Sequence, residues 1–166
     1  MVATVREVRP GDGAQISALH ARAFGPGRFA RTAYRVREGT GAFSPYCRAC
    51  LIGGRIIAAV RFTPVRVGGT DGALLLGPLA VDPEFANRGH GRGLVRDGME
   101  AARADGLGLV LLVGDEPYYA RLGFVRVPAG HIALPGPVNP QRLLAVELRP
   151  GALADYRGLV TAAAQP

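Results

Sequence analysis

A chain of 166 residues with 48% hydrophobic side chains can bury one core and is too apolar to be disordered. Its longer apolar runs, such as Ala73–Leu76 and Leu109–Val113, are far too short to span a bilayer, and the N-terminus lacks a charged-then-apolar leader, so a cytoplasmic protein with no membrane partner is expected. The formal charge is +7 and every basic residue is arginine; these are spread along the chain rather than clustered among aromatics, which points to a small anionic partner and away from nucleic acid.

The alternating segment Ala3–Arg9 predicts a first strand, ended by Pro10. Asp12 stands where it can cap the helix that follows, in which Ile16, Leu19 and Ala23 share one face with His20 beside them. Gly25-Pro26-Gly27 ends that helix. Arg28–Glu38 predicts a second, shorter one, basic on its outer face and closed by Gly39-Thr40-Gly41. Two strands follow, Tyr46–Ile52 and Arg55–Val67, joined by the hairpin signal Gly53-Gly54. A third, Ala73–Val81, completes an antiparallel meander. Gly77-Pro78 interrupts it, and because proline donates no ladder hydrogen bond, a bulge or bend is expected there.

A helix is predicted from about Gly93 to Asp105, with Leu94, Val95, Met99 and Ala102 as its buried stripe. Leu109–Val113, apolar throughout, suits a strand covered on both faces. Glu116–Leu122 predicts a short helix closed by Gly123, and Phe124–Val127 and Leu143–Leu148 two last strands. Residues 151–166 read as an Ala-rich, poorly packed tail. With no repeat and no linker, residues 1–150 form one mixed α/β domain in this reading.

The segment Arg88-Gly89-His90-Gly91-Arg92-Gly93, set between a strand and a helix, has the chemistry of an anion site. A helix N-terminus leaves backbone N–H groups unpaired and carries partial positive charge, and glycines let the backbone approach an anion closely. Arg88 and Arg92 add charge from the side. The chain has no lysine, which excludes the P-loop, and a Gly-x-Gly-x-Gly spacing after an antiparallel meander does not fit the dinucleotide fingerprint. On its own the loop still leaves open a glycine-rich turn that holds no ligand.

The longer run Leu79-Ala80-Val81-Asp82-Pro83-Glu84-Phe85-Ala86-Asn87-Arg88-Gly89-His90-Gly91 resembles the acetyl-CoA-binding motif of the GNAT superfamily of N-acetyltransferases. Tyr118-Tyr119-Ala120-Arg121-Leu122-Gly123-Phe124 is similar to that superfamily's Tyr-x-x-x-Gly-Phe element, one helix and one buried strand downstream. The resemblance implies a single-domain α/β fold with a mixed sheet of about six to seven strands and about four flanking helices. A pair of parallel strands would splay apart around the cofactor. It implies acetyl-CoA as co-substrate, no metal, and a small-molecule or protein amine as acceptor. Carried over, Leu79, Ala80 and Val81 would accompany the pantetheine arm, and Asn87, Arg88, Gly89, His90, Gly91, Arg92 and Gly93 would hold the pyrophosphate. The backbone N–H of Leu79, next after a proline that has none, would face the thioester carbonyl. The family often carries Gln or Arg three residues before the first loop glycine; here that position is Ala86.

Acyl transfer to an amine needs two proton movements. An alkyl amine with pKa near 10.4 costs about 4 kcal/mol to deprotonate near neutral pH, and the CoA thiolate must be protonated as it leaves. By the resemblance Tyr119 is the acid, with transfer uphill by about 2 kcal/mol if the pKa values are unperturbed; Tyr118 is expected to point elsewhere. Glu116 is the chosen candidate base, with Asp115, Glu84 and His131 as others, and a water chain can serve instead. In this family the first helices and the loop between them line the acceptor site, which directs attention to Phe24–Arg37. Cys47-x-x-Cys50 lacks the second pair a structural zinc site needs, and residues three apart on a strand face opposite sides. Two other function classes stay open: an acyl-CoA-binding module without turnover, and a nucleic-acid-binding protein. Assembly is left between monomer and homodimer.

Overall fold

The computed structural model describes residues 2–24 and 43–163. Nine strands in these residues form one mixed sheet: β1 (Thr4–Glu7), β2 (Arg48–Ile52), β3 (Arg55–Val67), β4 (Thr70–Val81), β5 (Leu109–Val113), β6 (Val125–Arg126), β7 (Ile132–Ala133), β8 (Leu143–Glu147) and β9 (Gly158–Ala162). Three helices accompany them: α1 (Gly13–Phe24), α2 (His90–Ala104) and α3 (Glu116–Ala120). The strands run β1-β2-β3-β4-β5-β8-β6, and β9 pairs with both β3 and β7. β1 to β4 are antiparallel in sequence, β4 and β5 are parallel, and β8 returns antiparallel to β5. The expected α/β class and meander are present, with more strands than the six or seven anticipated. The basic helix over Arg28–Glu38, with Phe29 and Tyr34, lies outside the described residues.

Alternation along the long strands separates two faces. Leu74, Leu76, Val110 and Leu112 turn to one side, against Leu94, Val95, Met99 and Ala102 of α2. The predicted stripe of that helix is therefore its buried one. Ala49, Ala59 and Ala80 turn to the other side beneath Ile16 and Leu19 of α1. Farther along that same side, Leu75, Leu109 and Leu111 pack with Ile132, Leu143, Tyr156 and Val160. Cys47 and Cys50 are free thiols in the clusters of opposite faces, as their spacing requires.

Two expectations are corrected. Asp12 does not cap α1. It ends a 3-10 turn, Pro10–Asp12, and its carboxylate turns back to accept from the Arg9 backbone N–H (2.8 Å) and from Arg6 (2.7 and 3.0 Å). A nearby arginine outcompetes the helix's own N–H groups for the buried carboxylate. The stretch after Pro150 is likewise no loose tail through residue 162. Tyr156 is buried with its hydroxyl donating to the Asp71 carbonyl (2.9 Å), and Val160 is buried opposite Val67. β9 thereby covers the part of β3 that β2 is too short to reach.

α2 lies close on its face of the sheet because residue 98 has no side chain. A Cβ at Gly98 would stand 2.5 Å from Phe62 Cε2 and 2.7 Å from the Tyr46 carbonyl oxygen, and a backbone atom cannot swing away. Gly98→Ala is expected to lower unfolding stability by about 1–3 kcal/mol despite alanine's better helix propensity, read from the urea midpoint at unchanged m-value.

Candidate active site

The parallel pairing of β4 with β5 covers only Ala73↔Leu109, Leu74↔Val110 and Leu75↔Leu111. Beyond it β4 continues to Val81, paired with β3 through Val60↔Leu79, Ala59↔Ala80 and Ala58↔Val81. The two parallel strands thus part, and β4 has an edge with no strand partner among the described residues. The register slips between Val60 and Phe62, opposite Gly77-Pro78, where the peptide bond is cis. The interruption expected at this dipeptide is therefore a bulge. Leu79, Ala80 and Val81 occupy the stretch just beyond it, with Leu79 and Val81 turned to the α2 side and Ala80 to the α1 side.

The chain then turns sharply into α2. Asp82 caps a 3-10 turn, Pro83–Phe85, by accepting from the Glu84 N–H (3.0 Å). Asn87 (φ 63°) and Gly89 (φ 83°) adopt the left-handed conformation, and Gly89 is the N-cap of α2. The helix begins at His90, three residues before the start read from the sequence. His90, Gly91, Arg92 and Gly93 therefore form its first turn; the N–H groups of His90, Gly91 and Arg92 precede the first intrahelical bond, whereas Gly93, counted among the pyrophosphate contacts in the sequence, donates its N–H to the Gly89 carbonyl at 3.0 Å. Arg88 is exposed, with its guanidinium over the Phe85 ring at 5.4 Å. His90 meets the edge of the same ring (6.5 Å), and its Nδ1 lies 3.8 Å from Cys50 Sγ.

Across the gap, β5 leads through Gly114 into α3. The Tyr119 ring packs against Phe124 (5.7 Å between centroids) and beside Gly114, where an added Cβ would stand 2.8 Å from Tyr119 Cε2. Gly114 thus keeps open the space that the ring fills at the end of β5. Tyr118, expected to point elsewhere, reaches α2: its hydroxyl stands 2.7 Å from where a Gly91 Cβ would be, next to the side chains of Val81 and Leu79. Burial pushes its phenol pKa up, opposed by the charge of Arg92. A residue without a side chain in the first turn of α2 was the sequence signal for this approach.

The candidate bases are dispersed. Glu116 accepts from Arg126 Nε at 3.0 Å in an ion pair at the N-terminus of α3. Asp115 and Glu84 are exposed on their turns. His131 is buried just before β7: its Nε2–H donates to the Leu153 carbonyl at 2.7 Å, and its neighbour Ile132 packs in the second core of the α1 face. Among the described residues, no three His, Cys, Asp or Glu side chains converge as a metal site would require.

Asp82 is the residue that motif reading passed over. Its side chain is 3% exposed, and Oδ2 receives Arg55 Nη2 at 2.8 Å and Arg22 Nε at 3.2 Å. The Glu84 N–H first, then the two guanidinium charges, hold its carboxyl below the usual range against the opposing effect of burial. A carboxyl with a depressed folded pKa contributes stability above its unfolded value, about 3.9, and loses it as pH falls through the folded value. Stability measured in urea is therefore expected to fall more steeply below about pH 4 in the wild type than in Asp82→Asn; equal slopes would contradict it.

Residues 14–124 match the Acetyltransferase (GNAT) family. The uncharacterised N-acetyltransferase YhbS of Escherichia coli is 33% identical over 121 residues, which is 72% of each chain. The crystal structure of YhbS from Escherichia coli in complex with CoA is similar with a TM-score of 0.83 at 29% identity, over 97% of this chain and 89% of that one. A GNAT family acetyltransferase from Brucella melitensis in complex with acetyl-CoA gives a TM-score of 0.66 at 27% identity, over 87% and 96% of the two chains. With its family match covering most of the chain and its parted β4–β5 pair beside a glycine-opened helix, this protein belongs to the GNAT family of acetyltransferases.

Proposed function

We propose that the protein transfers an acetyl group from acetyl-CoA to an amine by direct attack within a ternary complex, in the cytoplasm. The observation that carries this reading is the break in β4–β5 pairing after Leu75↔Leu111, set beside the first turn of α2. An unpaired strand edge can hydrogen-bond an extended amide chain as an added strand would. Pantetheine is such a chain, and the pyrophosphate at its end suits the N–H groups of His90, Gly91 and Arg92 with the Arg88 and Arg92 side chains alongside. Pro78 has no N–H, so in this proposal Leu79 supplies the donor for the thioester carbonyl, where charge develops during attack.

In this proposal Tyr119 protonates the departing thiolate. Its position at the end of β5, beyond the point where the strands part, supports the assignment. Glu116 is the carboxylate named as base in the sequence reading, but its ion pair with Arg126 favours a different route. The amine proton passes to water, or the amine binds neutral. The same observation lends weight to a second reading, an acyl-CoA-binding module of this fold without turnover.

Acetyl-CoA at about a hundred times its Kd is expected to add about 2.7 kcal/mol to the native state and raise Tm accordingly. A Tm unchanged by acetyl-CoA would remove both readings. Thiol release on mixing acetyl-CoA with a panel of amines separates them: turnover supports the transferase, and binding without release supports the module. Tyr119→Phe is expected to lower kcat by about tenfold to a hundredfold, at or below the lower end of general acid catalysis, with little change in acetyl-CoA affinity. An unchanged kcat would exclude the acid role.

A further inference from the structure

Asp82 stands where the two faces of the sheet come together. Its backbone N–H donates to the Ile57 carbonyl at 2.8 Å, and its own carbonyl accepts from the Phe85 N–H at 2.8 Å. Phe85 in turn lies under Arg88 and against His90, so the shape of the loop descends from this residue. The Asp82 carboxylate meanwhile holds Arg22, in the last turn of α1, and Arg55, the first residue of β3. One buried side chain therefore joins the turn that opens α2 on one face of the sheet to the end of α1 on the other.

This junction matters for a donor threaded through parted strands. In the proposed function phosphates at the first turn of α2 would lie on the α2 face and the arm would run in the gap beside Leu79–Val81. The acyl carbon would then be approached from the opposite face, where α1 packs over Ala80. Attack needs the two reactants within about 3–3.5 Å, and an error of about 1 Å costs on the order of a hundredfold in rate. We propose that Asp82 is a positioning residue that couples the two faces, so that CoA held in the loop stiffens the last turn of α1 through the Asp82–Arg22 pair. The inference rests on the CoA-binding part of the proposed function. The pairing is asymmetric: Arg22 and Arg55 have side chains 40% and 51% exposed and can return to water, whereas the Asp82 carboxylate cannot.

Amide hydrogen exchange on the full chain, with and without CoA, tests this. In the wild type CoA is expected to slow exchange in peptides covering residues 83–93. It is also expected to slow the last-turn amides of α1 by about fivefold or more, the lower end of ordinary inter-site coupling. Arg22→Gln keeps the loop protection and loses that in α1, Arg22→Lys restores part of it, and Arg55→Gln retains both. Asp82→Asn loses the α1 effect even at saturating CoA. Loop protection with no CoA effect on α1, or a full α1 effect in Arg22→Gln, overturns the coupling. Absence of any protection or Tm rise with CoA overturns the functional reading itself. Because Arg22 is partly exposed, its variants test the idea even if Asp82→Asn fails to fold.

Discussion

Backbone groups inside a sheet must be paired, and from Leu76 onward β4 meets that requirement on one side only. Its pairing with β3 resumes after the bulge at Gly77-Pro78 and runs to Val81, while β5 keeps its pairing with β8 as far as Val113. The result is a gap between the two strands, bordered by Leu79 and Val81, by the first turn of α2 and by Tyr118 of α3. Placing the opening there, rather than at an outer edge, brings a helix N-terminus and an unpaired strand edge together without any further loop. Each feature attributed to cofactor binding depends on that parting of two strands.

Both sides of the opening are tied down by close contacts. Gly98 lets α2 approach Phe62 and the Tyr46 carbonyl closely, so its N-terminus cannot drift from the sheet without leaving a void. Gly114 gives the Tyr119 ring its place at the end of β5. Asp82 fixes the exit of β4 with hydrogen bonds from one backbone N–H and two guanidinium groups. Of these, the carboxylate reaches across to the other face of the sheet, where α1 lies. Packing holds each face separately, whereas the ionic contact relates one face to the other.

Much of this was visible in the residues themselves. The 3.6-residue stripe of α2, the Gly53-Gly54 hairpin and the disturbance at Gly77-Pro78 follow from local chemistry, since periodicity and missing N–H groups do not depend on distant neighbours. The start of α2 at His90 was less visible, because glycines at positions 91 and 93 weaken a helix in isolation and are tolerated only with the sheet behind them. Asp12 illustrates the same limit. A capping position was correctly noticed, but the choice between a helix N–H and Arg6 depends on where β1 ends in space. The alanine-rich C-terminal stretch looked loose because its alternation around Val160 is weak, yet the uncovered end of β3 makes it a strand.

By itself the sequence determined the class of fold, the glycine-rich strand-to-helix turn at Arg88–Gly93 and the family resemblance carried by Leu79–Gly91 and Tyr118–Phe124. These are properties of contiguous residues, and short-range sterics and charge suffice to express them. The tertiary structure alone decided which side chains meet across the opening. It brought Tyr118 to Gly91, paired Glu116 with Arg126, buried His131 away from the opening and joined Arg22 and Arg55 on Asp82. Such contacts join residues from elements distant in the chain or set the direction of a side chain on its element, and only the packing of those elements against one sheet sets their distance.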